Sequence, residues 1–279
     1  MNNKIALIVP TYNNSSILLS YIDDLQKQTS SSFHVFIADV SETQKKLKLP
    51  AFCTQIFIEN KGFSYAVNMG VREAQKNGFG LFCVTNDDVL VKNDFVQNLL
   101  DSAHAHGGSI ITGKIYYEAG FEYHKDRYEK KDLGHVLWYT GGSIDWAHAI
   151  TPHRGVDEVD EGQYDVFEKT EFINGCLMLF DQSVISRVGW WDESYFLYFE
   201  DADFCVRAQR KNVSLYYDPS IVIWHKVSQS TGGSGSKLHV KYQERNRLRF
   251  GLKYAPFWTK LHLVKNYLFF VFLKRRELM

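Results

Sequence analysis

Residues 59–88 read ENKGFSYAVNMGVREAQKNGFGLFCVTNDD, and this stretch sets the architecture of the chain. Ser64 stands where a helix can be capped, a helical pattern runs from there to Gly78, and LFCVT follows as a short apolar strand. That strand runs straight into Asn86, Asp87 and Asp88. On the N-terminal side, KIALIVPTYNN predicts a buried strand ended by Pro10, and apolar residues at 17, 18, 21, 22 and 25 predict a helix behind a Ser cap. SFHVFIADVS predicts a strand ending at Asp39, and QIFIEN one ending at Asn60. Strands alternating with helices across short loops imply an α/β fold, a Rossmann-like and mostly parallel sheet with helices on both faces. Such sheets bind ligands beyond the carboxyl ends of their strands, which gathers Thr11, Asp39, Asn60 and the 86–88 triplet along one edge.

The remainder is consistent with one large domain: 279 residues, 45% hydrophobic and 15% aromatic, are enough for a sizeable core. Lys plus Arg and Asp plus Glu both number 32, so no net field favours a nucleic-acid partner. The four cysteines lie in apolar surroundings without C-x-x-C spacing and read as reduced core thiols, which favours the cytoplasm. The apolar run before Pro10 is too short for a signal-peptide core, and no run reaches the ~18 apolar residues of a spanning helix.

Asn93 caps a further helix, and SIITGKIYY reads as a strand. Residues 118–170 are polar and aperiodic, an irregular excursion or lid. Beyond them, EFINGCLMLFD predicts a strand, QSVISRVG a short helix, and DADFCVRAQRKN a helix with Phe204, Cys205 and Ala208 inward. Two strands are expected around Pro219, and STGGSGS (230–236) is a flexible loop by composition. The last segment spaces Phe257, Leu261, Val264, Leu268 and Val271 by fours and threes and ends in Lys274, Arg275 and Arg276. This is either a helix packed on the core or on a second subunit, giving a homodimer, or one lying in a membrane interface as a peripheral contact.

Two carboxylate clusters carry the chemistry. Adjacent acids at a buried strand end repel unless a cation or donors fill the gap, and Mg²⁺ or Mn²⁺ is held by one or two carboxylates plus phosphate oxygens. A plain strand-end turn is the competing reading. Asn60, Gly62, Asn68 and Gly70 precede or open a helix whose dipole favours an anion, although Gly70 can equally be a packing glycine. In YFEDADF (198–204), Glu200, Asp201 and Asp203 follow aromatic residues. They either complement a helix dipole or include a base whose pKa apolar neighbours raise.

IVPTYNN, ENKGFSYAVNMG, NDD, GGSIDW, INGCLMLF, VGWWDESYFLYFEDADFCVRAQRKN, YYDPSIVIWHKVSQS and YQERNRLRF come in the order and approximate spacing of family 2 glycosyltransferases. The chain resembles that family over nearly its whole length, in particular the rhamnosyltransferase-like branch of bacterial surface-polysaccharide enzymes. The resemblance implies a GT-A fold, a nucleotide-diphosphate sugar donor, Mg²⁺ or Mn²⁺, and inversion at the anomeric carbon. It favours dTDP-rhamnose, with a UDP-hexose as the alternative, and a glycan or lipid-linked acceptor. Carried over, it places Pro10, Thr11, Tyr12, Asp39, Asn60, Gly62, Asn68, Asn86, Asp87 and Arg245 around the donor, Asp88 and His225 on the metal, and Asp201 as base with Glu200 beside it. Asn86 stands where the family's D-x-D motif has its first Asp. By the same likeness residues 1–110 form the nucleotide-sugar half, 111–250 the acceptor and catalytic half, and 251–279 a C-terminal amphipathic helix. Two rivals stay in play: a glycoside hydrolase, which needs neither a nucleotide edge nor a metal-binding acid pair, and a non-catalytic nucleotide- or carbohydrate-binding module.

Overall fold

A computed structural model describes residues 4–227 and 236–276, with side chains to residue 271. The chain runs β1 (Ile5–Thr11), α1 (Ser15–Leu25), β2 (Phe33–Asp39), β3 (Cys53–Phe57), α2 (Phe63–Lys76), β4 (Leu81–Thr85), β5 (Val89–Val91) and α3 (Phe95–Ala105). It continues through β6 (Ile110–Tyr117), β7 (Leu137–Tyr139), β8 (Glu168–Lys169), β9 (Leu177–Asp181), α4 (Gln182–Val188), α5 (Glu200–Arg210), β10 (Leu215–His225), α6 (Lys237–Tyr254) and α7 (Phe257–Arg276). One sheet has the order β3-β2-β1-β4-β9-β6-β10-β5, with β7 added on β6 and β8 on β10. β3, β2, β1 and β4 are mutually parallel, as are β6 and β10, while β9 enters antiparallel between β4 and β6. The α/β reading holds, with a mixed sheet.

Ile5, Ala6, Leu7, Ile8 and Val9 are all buried, the unbroken apolar run expected of a strand covered on both faces. Pro10 does not end β1, which continues to Thr11. Its missing N–H is tolerated because the pairing with β4 stops at Ile8. α2 lies on β1, and Gly70 allows that approach: a Cβ there would meet Ile8 Cγ2 at 2.6 Å. Gly70 is therefore a packing glycine. Ser64 is buried inside α2, whose N-cap is Gly62, and α1 is preceded by Asn14 in the cap position. β3 stops at Phe57, so Asn60 sits three residues past the strand.

β10 is one strand of 11 residues where two were expected. Pro219 falls in a bulge at which the register against β6 shifts between Asp218 and Val222. Gly113 makes room for it, since a Cβ there would meet the Ile221 carbonyl oxygen at 2.1 Å.

Residues 118–170 are largely irregular but tied down. Lys114, buried on β6, pairs with Asp160 at 2.7 Å and also with Asp165. The Glu122 carboxylate accepts from Gly120 N at 2.8 Å and Gly134 N at 2.7 Å, and Arg154 meets Glu168 at 2.6 Å. The buried Lys114 and Glu122, with their partners, fix the segment against the sheet, unlike a loose lid. All four cysteines are unpaired thiols, three of them buried. Apart from Ser236, the 230–236 stretch lies outside the described residues, as do the side chains of Lys274, Arg275 and Arg276.

Candidate functional site

β1, β4, β6 and β10 all end at one cleft of about 1030 Å³, lined among others by Thr11, Asp88, Tyr117 and His225. Pro10, Tyr12, Asn60, Gly62, Asn86, Asp87, Glu200 and Asp201 share its wall.

At the end of β4, Asp87 accepts from Thr11 Oγ1 at 2.5 Å and Asn14 Nδ2 at 3.1 Å. Burial and the neighbouring charge of Asp88 nevertheless push its pKa up to about 7, against those donors. Asp88 is 2% exposed. Its Oδ1 lies 3.1 Å from His225 Nε2, an ion-pair distance without hydrogen-bond alignment. That carboxylate oxygen and His225 Nδ1 both lack a hydrogen-bond partner among the described residues. Asn86 Nδ2 is also 3.2 Å from His225 Nε2. No group of three or more His, Cys, Asp or Glu side chains forms a metal cage among the described residues. The set fits a divalent ion that takes Asp88 and His225 from the protein and its other ligands from a bound diphosphate and water. An under-satisfied buried carboxylate beside an imidazole is what such an ion would complete.

Across the cleft, Asp201 opens α5. Its Oδ2 accepts from Gly175 N at 3.0 Å and its Oδ1 from Ala202 N at 2.8 Å. Burial still pushes its pKa up to about 6, the backbone donors opposing. Glu200 is buried with Oε2 unpartnered, and burial followed by the charge of Asp201 raises it well above the usual carboxylate range. Burial thus raises both neighbouring acids above the ordinary carboxylate range and favours their neutral forms.

The backbone leading into these acids is strained. Tyr198 and Phe199 are consecutive non-glycine residues at φ 68° and 69°, a left-handed conformation costing roughly 1–3 kcal/mol each. Asn246 on α6 holds it, its Nδ2 donating to the carbonyl oxygens of Leu197 at 2.7 Å and Tyr198 at 3.1 Å. Asn246 is 1% exposed, and Phe199 packs against Phe250 one turn further on, ring centroids 5.5 Å apart. From the other side, Phe63 N donates to the Phe196 carbonyl oxygen at 2.9 Å.

Several expected donor contacts lie elsewhere. Asn68 is buried and spent on structure: its amide donates to Trp191 O at 2.9 Å and Glu193 Oε1 at 2.8 Å, and accepts from Trp191 N. Arg245 is exposed on α6 and is not among the cleft-lining residues. The carboxylate of Asp39 accepts from Ser41 N at 2.9 Å and Gln55 Nε2 at 2.8 Å, just outside the wall. Asp203, fully buried, accepts from Arg207 Nε at 2.7 Å, Lys253 Nζ at 2.6 Å and Tyr254 Oη at 2.7 Å. It welds α5 to α6.

The sequence reading missed Trp138, His153 and Asn174, which also line the cleft. Trp138 stands edge-on to both His153 and His225. Burial pushes His153 down to about 4, leaving a neutral imidazole. Asn174 Nδ2 has no partner among the described residues and leaves a donor in the cleft wall. Asn174 lay in the INGCLMLF motif, whereas nothing in the aperiodic 118–170 stretch marked the other two.

The glycosyl transferase family 2 profile matches residues 6–189. The low-salt glycan biosynthesis hexosyltransferase Agl10 of Haloferax volcanii is 23% identical over 190 residues, 67% of this chain and 56% of that protein. The glycosyltransferase GlyG of Streptococcus pneumoniae is 25% identical over 149 residues, 50% of this chain and 45% of its own length. The chain thus spans about half the length of these relatives. Among solved structures, GalNAc-T7 with UDP, GalNAc and Mn²⁺ superposes with a TM-score of 0.65 at 14% identity, covering 87% of this chain and 48% of that one. The mannosyltransferase PcManGT from Pyrobaculum calidifontis, in complex with GDP-Man and Mn²⁺, gives 0.51 at 15% identity over 95% of this chain and 69% of its own. These two likenesses concern the fold.

Proposed function

The chain belongs to glycosyl transferase family 2, and we propose that it is a metal-dependent, inverting transferase moving a sugar from a nucleotide diphosphate to a glycan or lipid-linked hydroxyl. One observation carries the reading: the Asp88–His225 pair and the Glu200–Asp201 pair face one cleft at the carboxyl ends of the parallel strands. A hydrolase or a plain binding module has no use for both.

The donor diphosphate lies over Asp88 and His225, with Thr11, Tyr12, Asn60 and Gly62 along the nucleotide side. A divalent cation bound there supplies positive charge opposite the leaving diphosphate. Asp201 takes the proton of the acceptor hydroxyl as its oxygen attacks C1. The C1–O bond to the diphosphate breaks, its electrons remaining on the nucleotide, and attack from the opposite face inverts C1. Glu200, beside Asp201, hydrogen-bonds an acceptor or donor hydroxyl and orients it for the transfer. The donor favoured is dTDP-rhamnose, with a UDP-hexose as alternative, and surface-polysaccharide synthesis is the setting this implies.

The test is nucleotide release from dTDP-rhamnose and from UDP-hexoses, with Mn²⁺ and a polyprenyl-diphosphate-linked sugar acceptor. Turnover of one donor that needs Mn²⁺ and disappears in Asp201→Asn supports the reading. Full turnover in the Asp201→Asn protein contradicts it.

A further inference from the structure

We propose that α7 seats this protein on an anionic lipid surface. Of α7's described side chains, to residue 271, Thr259 and Leu263 are the buried ones, and Leu263 packs where a Cβ on Gly251 of α6 would meet Leu263 Cδ1 at 2.0 Å. Phe257, Leu261, Val264 and Leu268 recur at spacings of four and three, a single stripe on the opposite face. All four are exposed, Phe257 at 66%, and Trp258 beside them is 79% exposed. The stripe is therefore not a core contact within this chain, which leaves a second subunit and a membrane interface of the origins its spacing suggested. Contiguous apolar surface of this kind marks an interaction face.

Charge selects the occupant. From residue 257 to residue 276, the span of α7, the sequence has no Asp or Glu and five Lys and Arg. Lys260 and Lys265 flank the stripe on its two sides by helical position. A second copy docked stripe to stripe would set these cations against their own image, whereas anionic headgroups neutralise them while the apolar side chains enter the acyl boundary. Aromatic residues at the edge of the stripe suit that depth. No helix among the described residues is long and apolar enough to cross a bilayer, so α7 lies in the interface plane. α6, on which α7 packs, contributes Leu238, His239 and Gln243 to the cleft wall, so the element that carries α7 also borders the cleft.

The test is co-sedimentation of the full chain with vesicles of phosphatidylcholine alone and with added phosphatidylglycerol, without any nucleotide, so that its outcome is independent of the donor assignment. The expected result is binding to the anionic vesicles that weakens as salt rises and falls at least about tenfold in L261D/L268D. That variant should bind nucleotide as the unmodified protein does, since both positions face outward. A blue shift of emission on anionic vesicles that is lost in Trp258→Phe gives a second readout. Absence of binding, or equal salt-insensitive binding to neutral vesicles, overturns the proposal. So does a concentration-dependent dimer, without vesicle binding, that L261D/L268D abolishes; the stripe would then belong to a second copy.

Discussion

The backbone of Gly62 lies against that of Phe196 so closely that a Cβ on Gly62 would come within 2.3 Å of the Phe196 carbonyl oxygen. Gly62 also holds φ at +97°. The start of α2 and the loop that carries Glu200 and Asp201 are thereby locked together.

Gly62→Ala should consequently lose about 2–4 kcal/mol of stability, from the disfavoured conformation and the clash together. Urea unfolding measures it. Turnover should fall as well, because the substitution moves the acids away from the donor edge, and a variant of unchanged stability would refute this account of the contact.

The same loop is held from α6, and Asn246→Ala leaves the carbonyl oxygens of Leu197 and Tyr198 without their donor. A stability loss of about 1–3 kcal/mol is expected. Nucleotide affinity should be unchanged while kcat drops, the separation a purely global destabilisation would not give. Titration calorimetry and steady-state kinetics on the one preparation check it.

Asp201 sets a pH dependence. A base works ionised, so with a pKa raised to about 6 by burial, kcat should climb with pH through about 6 and level off above it. Asp201→Asn should cost about 10²–10⁴ in kcat with no change in nucleotide affinity. The linked effect on stability has the opposite direction. A folded pKa raised above that of the unfolded chain means the native state binds more protons, so stability falls as pH rises from about 4 through 6, and Asn should relieve that loss at neutral pH.

Asp203, two residues on, should behave otherwise. Its carboxylate serves Arg207, Lys253 and Tyr254 in a fully buried position. Asp203→Ala leaves their polar groups uncompensated and should destabilise by about 3–5 kcal/mol. Thermal or urea unfolding of the Asp201 and Asp203 variants side by side tests the division of labour within YFEDADF.

What could be read ahead of the structure follows from where the physics is local. β1 and β4 are unbroken apolar runs and β2 one interrupted only by His34, all ending in polar residues, and the strand-end rule then gathers Thr11, Asn86, Asp87 and Asp88 without further knowledge. β5 has three residues and no period, Pro219 disguised a bulge as a break between strands, and α6 buries only Asn246, Phe250 and Gly251 in a polar sequence. Asn68 read as a ligand residue because small polar groups open α2; its partners, the backbone of Trp191 and the Glu193 carboxylate, are more than 120 residues away. Asp201 and Asp203 share one motif and one helix turn, and only their tertiary neighbours tell them apart.

Asp88, between β4 and β5, and His225, the last residue of β10, are the pair proposed to hold a cation against a diphosphate. Isothermal titration of UDP and dTDP, each with Mn²⁺ and with chelator, on the unmodified protein and on Asp88→Ala tests that role most directly. The expected result is binding of one nucleotide that requires Mn²⁺ and is lost in Asp88→Ala, whose fold is retained. Binding that is equal with chelator, or that survives in Asp88→Ala, would contradict it and return the NDD triplet to a strand-end turn.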